Sequence, residues 1–556
     1  MDKNFYISID FGTCNTVISY FDKTTSKILQ IFDNNECLIP TIIYFTDINE
    51  EITINNLQYD INYVIGESAN TMYDSYKNNK YYFYQFKRFL GLTIKSNSEQ
   101  IDFLNNYNIK YELDDELIYF YIPIQESDKF IKLSIINLVT LFFKGLYLKI
   151  KTFLNINDEE NIDIVLTCPA FFHDLQRKQL KKAVENANFK IIKIYNEPTS
   201  AAIYYINNHQ IIEDKLKFIV YDLGGGTIDT TVVEYHKDMN LCEILDIDGN
   251  NSLGGVDIDN IIVSDLYCKY NINKNNLKWK HKIRKYAEEI KIKLTYSNNI
   301  NLYLENVPIN KNDEIVFIDS LKISYSRHYF NSLIEHLIDK MIEPIINYSI
   351  KYNINNIIFI GGPTQIPLLQ NKVYSLININ FNNLELIENK NSVLYKIIVS
   401  LGGSLMYRFL NDSKFSLLDI IPMNIGISNH NDEMITILVK NSKIPTSFEK
   451  IFSTTYDCQR TIEINVYEGL DILCINNTFI GSYKIIGIPP FPRGLILIKL
   501  LFQISYNGIL NISINGFKNP SDESCKSFDF KLCENIKLIS NAVAKDLLKK
   551  ILFNKK

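Results

Sequence analysis

Three aspartates stand where short glycine-bearing turns interrupt apolar runs. Asp10 closes the run from Phe5 and is followed by Phe11, Gly12 and Thr13; Asp222 closes Phe218–Tyr221 and is followed by Leu223, Gly224, Gly225, Gly226 and Thr227, with Asp229 just beyond. Glycine lets backbone N–H groups converge on an anion without a Cβ in the way, so each turn reads as a phosphate cradle. Three carboxylates beside phosphate repel it unless a cation intervenes, and Mg²⁺, held largely through water, fits Asp10, Asp222 and Asp229. Phosphoryl transfer needs positioning and charge neutralisation more than covalent chemistry. Lys87, in Gln85-Phe86-Lys87-Arg88-Phe89-Leu90-Gly91, is a candidate for the fixed positive charge, although on spacing alone it reads as a surface lysine. No GxxxxGK[ST] pattern joins a strand to a helix here, which disfavours the P-loop class. Three consecutive glycines between Asp222 and Thr227 weigh against a merely flexible hairpin.

The elements that must hold these groups follow from the apolar pattern. A strand over Phe5–Asp10, a tight turn and a returning strand over Val17–Phe21 repeat downstream as Phe218–Tyr221, the LGGGT turn and Asp229–Val233, which points to an internal duplication. Between them the pattern predicts a strand over Ile162–Leu166, a helix over Asp174–Asn188, a strand over Lys190–Tyr195 and a helix opening at Ser200 after Asn196-Glu197-Pro198-Thr199. Helices over Asn260–Tyr270 and Lys282–Tyr296 and a strand over Asn356–Ile360 follow. Up to about Leu410 the chain alternates α and β. From Ile420 to about Phe517 the runs are short, β-branched and turn-punctuated, with Asn507-Gly508 a strong hairpin signal. One short helix is expected over Ser540–Leu552.

A chain of 556 residues is too long for one core, and its 46% hydrophobic and 22% charged residues are those of a globular protein. The net charge of −5 and the absence of a basic face argue against nucleic acid. Nine scattered cysteines without a CxxC pair argue against zinc and read as reduced thiols of a cytoplasmic protein. The longest apolar run, Leu133–Phe143, is broken at Lys144, far short of the ~20 residues that span a bilayer, so no membrane role is expected.

Seven blocks in order resemble the seventy-kilodalton heat-shock chaperone family. They are Ile9–Thr16, Phe86–Gly91, Cys168–Phe172, Asn196–Ala202, Tyr221–Asp229, Leu253–Asp259 and Ile360–Thr364. The resemblance implies an actin-like (ribonuclease H-like, duplicated) α/β ATPase domain at 1–411, a linker at 412–420, an all-β sandwich peptide-binding domain at 421–519 and a short tail at 520–556 without the helical lid. It implies ATP and ADP as nucleotides, with Mg²⁺ and with K⁺ as a further candidate cation. It assigns catalytic roles to Lys87, Glu197, Asp10, Asp229 and Thr227, and phosphate or nucleoside contact to Gly12, Thr13, Cys14, Asn15, Asp222, Gly224, Gly225, Gly226, Gly254, Gly255, Glu288, Lys291, Gly361, Gly362 and Gln365. Pro169, Arg177, Leu417, Leu418 and Asp419 match an interdomain relay. The family carries Ser or Thr and then Arg after the late glycine pair; Pro363 and Gln365 stand here instead, so the stacking arginine is lost.

The resemblance continues through Asp419–Pro422, Val466–Gly469 and Gly487–Gly494. It places Ile427, Phe452, Ile462 and Ile464 in a peptide groove arched by His430 and Thr455, although the apolar four also alternate as sandwich-core residues do. The implied partners are unfolded or extended polypeptides, J-domain cochaperones and nucleotide-exchange factors. Without a lid, peptide exchange is expected to be fast. Two other readings stay open: a catalytically weak scaffold or exchange partner of another chaperone, and a small-molecule kinase on the same fold.

Overall fold

The computed structural model describes residues 5–33, 36–47, 62–76, 81–96, 101, 104, 109–115, 117–124, 128, 130–156, 162–311, 314–377, 393–412, 415–518 and 531–534. Two sheets built on one plan carry the first 410 residues. In the first, β1 (Phe5–Phe11) turns back antiparallel onto β2 (Asn15–Asp22) and pairs in parallel with β3 (Ile162–Cys168), which pairs in parallel with β4 (Phe189–Asn196). Parallel strands are covered on both faces, which is why Ile164, Val165 and Leu166 form a continuous apolar run and are all fully buried. In the second, β5 (Lys215–Leu223) turns back onto β6 (Ile228–His236), which pairs with β7 (Leu241–Asn250), while β8 (Ile357–Ile360) joins β5 in parallel. The repeat of an antiparallel hairpin flanked by a parallel strand agrees with the duplication read from the sequence.

Helices cover both sheets. α1 (Asp174–Asn186) crosses from β3 to β4, and α2 (Glu197–Asn208) follows β4 at once. α2 begins three residues earlier than the pattern predicted, because Asn196 is still extended and Pro198 sits in the first turn, where its missing N–H costs no hydrogen bond. α3 (Gly255–Lys269) and α4 (Leu277–Tyr296) pack on the second sheet, and α5 (Leu394–Asp412) packs against α2 and β1. A long hairpin, Asn299–Lys311 with Glu314–Ser326, and the helix Arg327–Tyr352 also belong to this half and were not anticipated.

The second half is a sandwich of two antiparallel sheets. One runs through Met434–Leu438, Asn424–Ser428, Thr461–Gly469, Thr478–Ile486 and Lys531–Glu534; the other through Thr446–Ser453, Leu497–Ile504 and Leu510–Lys518. Lys531–Glu534 pairs with Thr478–Ile486, so the β domain recruits a strand from what was expected to be tail. The helix expected over Ser540–Leu552 lies outside the described residues.

The segment expected as linker is a strand. β9 (Ser416–Ile420) pairs in parallel with β7, Leu417 opposite Cys242, and antiparallel with β10 (Lys443–Ile444) of the β domain, Asp419 opposite Ile444. One strand thus closes both halves into a single sheet.

Candidate functional site

The two turns face each other across a cleft of about 1170 Å³, part of it open to solvent. Phe11 pairs with Thr16 and Leu223 with Ile228, so each hairpin loops out the same four-residue interval, Gly12–Asn15 and Gly224–Thr227. The strand ends put Asp10 and Asp222 at equivalent places, and Asp229 lies directly opposite Asp222. Asp10, Lys87, Glu197 and Asp222 line the cleft together with Gly12, Thr13, Cys14, Asn15, Gly224, Gly225 and Thr227.

Lys87 is not the surface lysine that spacing alone implied. It is 2% exposed and donates to Glu197 Oε1 at 2.8 Å. Its short helical turn, Phe86–Phe89, is anchored by Phe86 and Phe89, both fully buried in the core. Burial alone would lower its pKa; the carboxylates of Glu197 and Asp10 outweigh that and hold the ammonium above the usual lysine range. Glu197 reaches the pair because it opens α2, where a carboxylate also meets the positive end of the helix.

The aspartates show the opposite imbalance. Burial, then the charge of Glu197, pushes Asp10 and Asp229 each up to about 7, and Asp222 well above the carboxylate range. Asp10 is held by Thr167 Oγ1 at 3.3 Å, and Asp229 Oδ1 by the Phe171 N–H at 2.8 Å. Asp229 Oδ2 is buried with no hydrogen-bond partner. A group of carboxylates that cannot all ionise, with a free oxygen among them, suits a hydrated divalent cation such as Mg²⁺.

The far end of the cleft is formed by Gly255, Glu288, Lys291, Ile292, Thr295, Tyr296, Gly361, Gly362, Pro363, Tyr395 and Lys396. Lys291 is tied to Asp259 at 2.8 Å and to the Gly255 carbonyl at 3.1 Å. Gly361 has φ +85°, and a Cβ there would overlap the carbonyl oxygen of Leu223, so only glycine lets this turn lie against the end of β5. Asp229, Gly226, Gly254 and Gln365 do not line the cleft. Gly254 instead lets α3 approach the turn, with a Cβ position only 2.6 Å from Gly226 N. Gln365 turns its amide nitrogen into a buried place without a partner, while Pro363 and Ile366 face the cleft.

Sequence reasoning missed several groups here. Arg88 bonds Ser252 O and Asp257 at 2.8 Å each and Gly226 O at 3.5 Å, fastening the glycine turn to the start of α3; its place beside Lys87 in the same block was the available signal. Tyr296 and Tyr395, whose hydroxyls lie 3.3 Å apart at the mouth, left no pattern to find.

The groups expected in the relay converge behind the cleft. Arg177 is buried and donates to the carbonyls of Pro169, Ala170 and Phe172 and to Asn196 Oδ1 at 2.7 Å. Asn196 in turn donates to Asp419 Oδ2 at 3.0 Å. Leu417 and Leu418 extend the same strand, Leu418 with 38% of its surface exposed. Around them the β domain adds contacts that the sequence did not signal. Glu468 accepts from the Asp174 N–H at 3.0 Å, Leu510 N–H donates to Asp174 at 2.7 Å, and Asn507 accepts from Ile194 at 3.1 Å.

The expected groove residues are divided. Ile427 and Ile464 belong to the buried sandwich core, while Phe452 and Ile462 are only partly buried against it. His430 lies in the turn after Asn424–Ser428, and Thr455 is tied by its N–H to Gln459 at 2.7 Å. No described helix is long and apolar enough to cross a membrane.

Comparison with known proteins agrees with this arrangement. The family model described as Hsp70 protein matches residues 6–527. The chain is 29% identical to the chaperone protein HscA of Buchnera aphidicola over 91% of each chain, and 28% identical to the chaperone protein DnaK of Metamycoplasma hominis over 94% of this chain and 79% of that one. A DnaK of Mycoplasma mycoides is 32% identical over 65% of this chain and 60% of its own. With the family model spanning both halves and the duplicated hairpins facing one cleft, this chain belongs to the Hsp70 family.

Proposed function

We propose that this chain is an ATP-dependent chaperone that hydrolyses ATP in the cleft and uses the cycle to grip and release extended polypeptide segments. The observation that carries the proposal is a pair of chain neighbours: Glu197 holds Lys87 inside the cleft, while Asn196 holds Asp419 of the strand leading to the β domain. A change at the phosphates that moves Glu197 by a fraction of an ångström acts on the interdomain strand through one peptide unit.

In this reading the backbone N–H groups of the two turns, with Thr13 and Thr227, cradle the phosphates. Lys87, fixed by Glu197, orients the attacking water and sets a positive charge where negative charge develops. Asp10, Asp222 and Asp229 would hold Mg²⁺ through water, and the ion would supply charge neutralisation at the phosphates. The aromatic mouth formed by Tyr296 and Tyr395 takes the base in place of a stacking arginine. In this reading the arrangement with β9 in the sheet and the sandwich held against α1 is the coupled form of the cycle. J-domain cochaperones and nucleotide-exchange factors are the partners proposed to time hydrolysis and release in a cytoplasmic cycle.

The test is steady-state ATP hydrolysis with and without an unfolded peptide, in the wild type and in Lys87→Ala. Peptide-stimulated turnover that disappears in the variant supports the proposal. Wild-type protein that binds ATP without turning it over supports a scaffold instead.

A further inference from the structure

In the second sheet, at the ends of the strands remote from the cleft turns, β6 and β7 bring three ligating side chains together. Glu234 and Glu243 are directly opposite each other in the antiparallel pair, and His236 lies two residues from Glu234 on the same face. The reachable atoms of the three lie within 4.8 Å of one another. Like charges directly opposite across a strand pair are destabilising unless something neutralises them.

Each carboxylate divides its two oxygens in the same way. Oε1 of Glu234 faces Lys217 at 3.7 Å and Oε1 of Glu243 binds Lys443 at 2.6 Å. The Oε2 atoms turn inward toward His236 Nε2, at 3.7 Å from Glu234 and 3.5 Å from Glu243. Those separations exceed a hydrogen bond, and both ring nitrogens of His236 are buried without a hydrogen-bond partner, with only 9% of the side chain exposed. Three ligand atoms about 2.1 Å from a shared tetrahedral ion stand about 3.4 Å apart. The two separations from His236 are close to that value, and the third lies within 4.8 Å.

We propose that Glu234, His236 and Glu243 form a site for a divalent transition-metal ion of the zinc type, whose occupancy opposes the hold of Lys443 on Glu243. One imidazole and two carboxylates are ordinary ligands for such an ion, with water completing the sphere. The location gives the site a consequence. Glu243 is also the β7 residue paired with Leu418 of β9, and Lys443 begins β10 on the other side of β9 and donates to the Ile244 carbonyl at 2.8 Å. A cation at Oε2 repels the ammonium at Oε1, so metal binding and attachment of the β domain at this edge are antagonistic, and by linkage equally so in both directions.

The experiment uses the full chain with Co²⁺ as the probe, by calorimetry and visible absorption in the presence of Mg²⁺. One equivalent of Co²⁺ with d–d bands and no near-ultraviolet thiolate transitions is expected; His236→Ala should lose it, and Glu243→Gln should bind at least tenfold more weakly. Lys443→Ala should bind Co²⁺ more tightly than the wild type. Because His236 is buried, His236→Ala is scored only if its far-ultraviolet circular dichroism is native, and Glu243→Gln, nearer the surface, carries the test otherwise. Equal Co²⁺ binding by wild type and both ligand variants, or thiolate bands in the wild type, overturns the site. Unchanged affinity in Lys443→Ala overturns the antagonism.

Discussion

Asn196 and Asp419, 223 residues apart in sequence, are joined side chain to side chain at 3.0 Å in a fully buried position. The bond adds a side-chain tie between the nucleotide-facing half and the interdomain strand to the backbone pairing of β9 with β7. Asp419 Oδ1 is already occupied by its neighbour Ile420 N–H at 2.9 Å, so Oδ2 depends on Asn196. Leaving a buried carboxylate oxygen unpaired costs about 1–3 kcal/mol. Asn196→Ala should therefore shift the equilibrium toward a released β9 by about 5- to 150-fold, read as faster proteolysis within residues 412–420 in the presence of ATP. An unchanged cleavage rate would remove this bond from the relay.

Lys87→Ala removes the ammonium beside Asp10 and Glu197 and leaves Glu197 buried without this ion-pair partner. The loss of one positioned charge at a phosphoryl-transfer centre is expected to lower turnover by about 10²- to 10³-fold. Lys87→Arg should not restore it, since the planar guanidinium cannot fill the compact site of an ammonium. Single-turnover hydrolysis measures both, and activity within tenfold of wild type in either variant would remove Lys87 from catalysis.

Glu468 predicts a pH dependence. Burial raises its carboxyl to about 8, the neighbouring Asp174 adds to the rise, and the Asp174 N–H and Arg177 oppose it. Lys178 pairs with Asp174 at 3.0 Å, and Asp419 lines the same cavity as Glu468. Once the β domain leaves α1, Glu468 meets water and returns to the ordinary range near 4.5. A group whose pKa is raised in the joined form strengthens joining at low pH; that contribution is complete below about 4.5 and is lost as pH rises through about 8. Fluorescence transfer between the two halves should fall across that window, and Glu468→Gln should flatten the curve. A wild-type signal independent of pH would sink the idea.

Much of the cleft could be read from the chain because it rests on local chemistry. A glycine turn after an apolar strand that ends in Asp needs no long-range information, and Asp10, Asp222 and Asp229 all came from that pattern. Lys87 did not; it came from the resemblance, since among 58 basic residues spacing alone does not show which are buried in the cleft. The interdomain contacts of Glu468, Asn507 and Asp174 were illegible for another reason. Each side chain bonds a backbone N–H of the other half, and a backbone partner leaves no mark on the sequence.

Gly361→Ala tests the turn that closes the nucleoside end. Its φ of +85° and ψ of 150° lie in a region open essentially to glycine, at a cost of about 1–3 kcal/mol for any other residue before the overlap with Leu223 is counted. The variant should lower the melting temperature by several degrees and weaken ATP binding at least tenfold, because the displaced Leu223 carbonyl lies between Asp222 and the Gly224 turn. Thermal denaturation and nucleotide titration decide it; wild-type affinity would show that the turn does not set the cleft.

The strand β9 is a plug as well as a tether. While it is zipped between β7 and β10, neither edge can recruit anything else. Once it slips out, two naked rows of backbone donors and acceptors are uncovered together, and an uncovered edge accepts whatever extended chain arrives first. Under the proposed function the clients are themselves extended chains, so the released interval must be short, or be resealed before a client mistakes the scaffold for another strand.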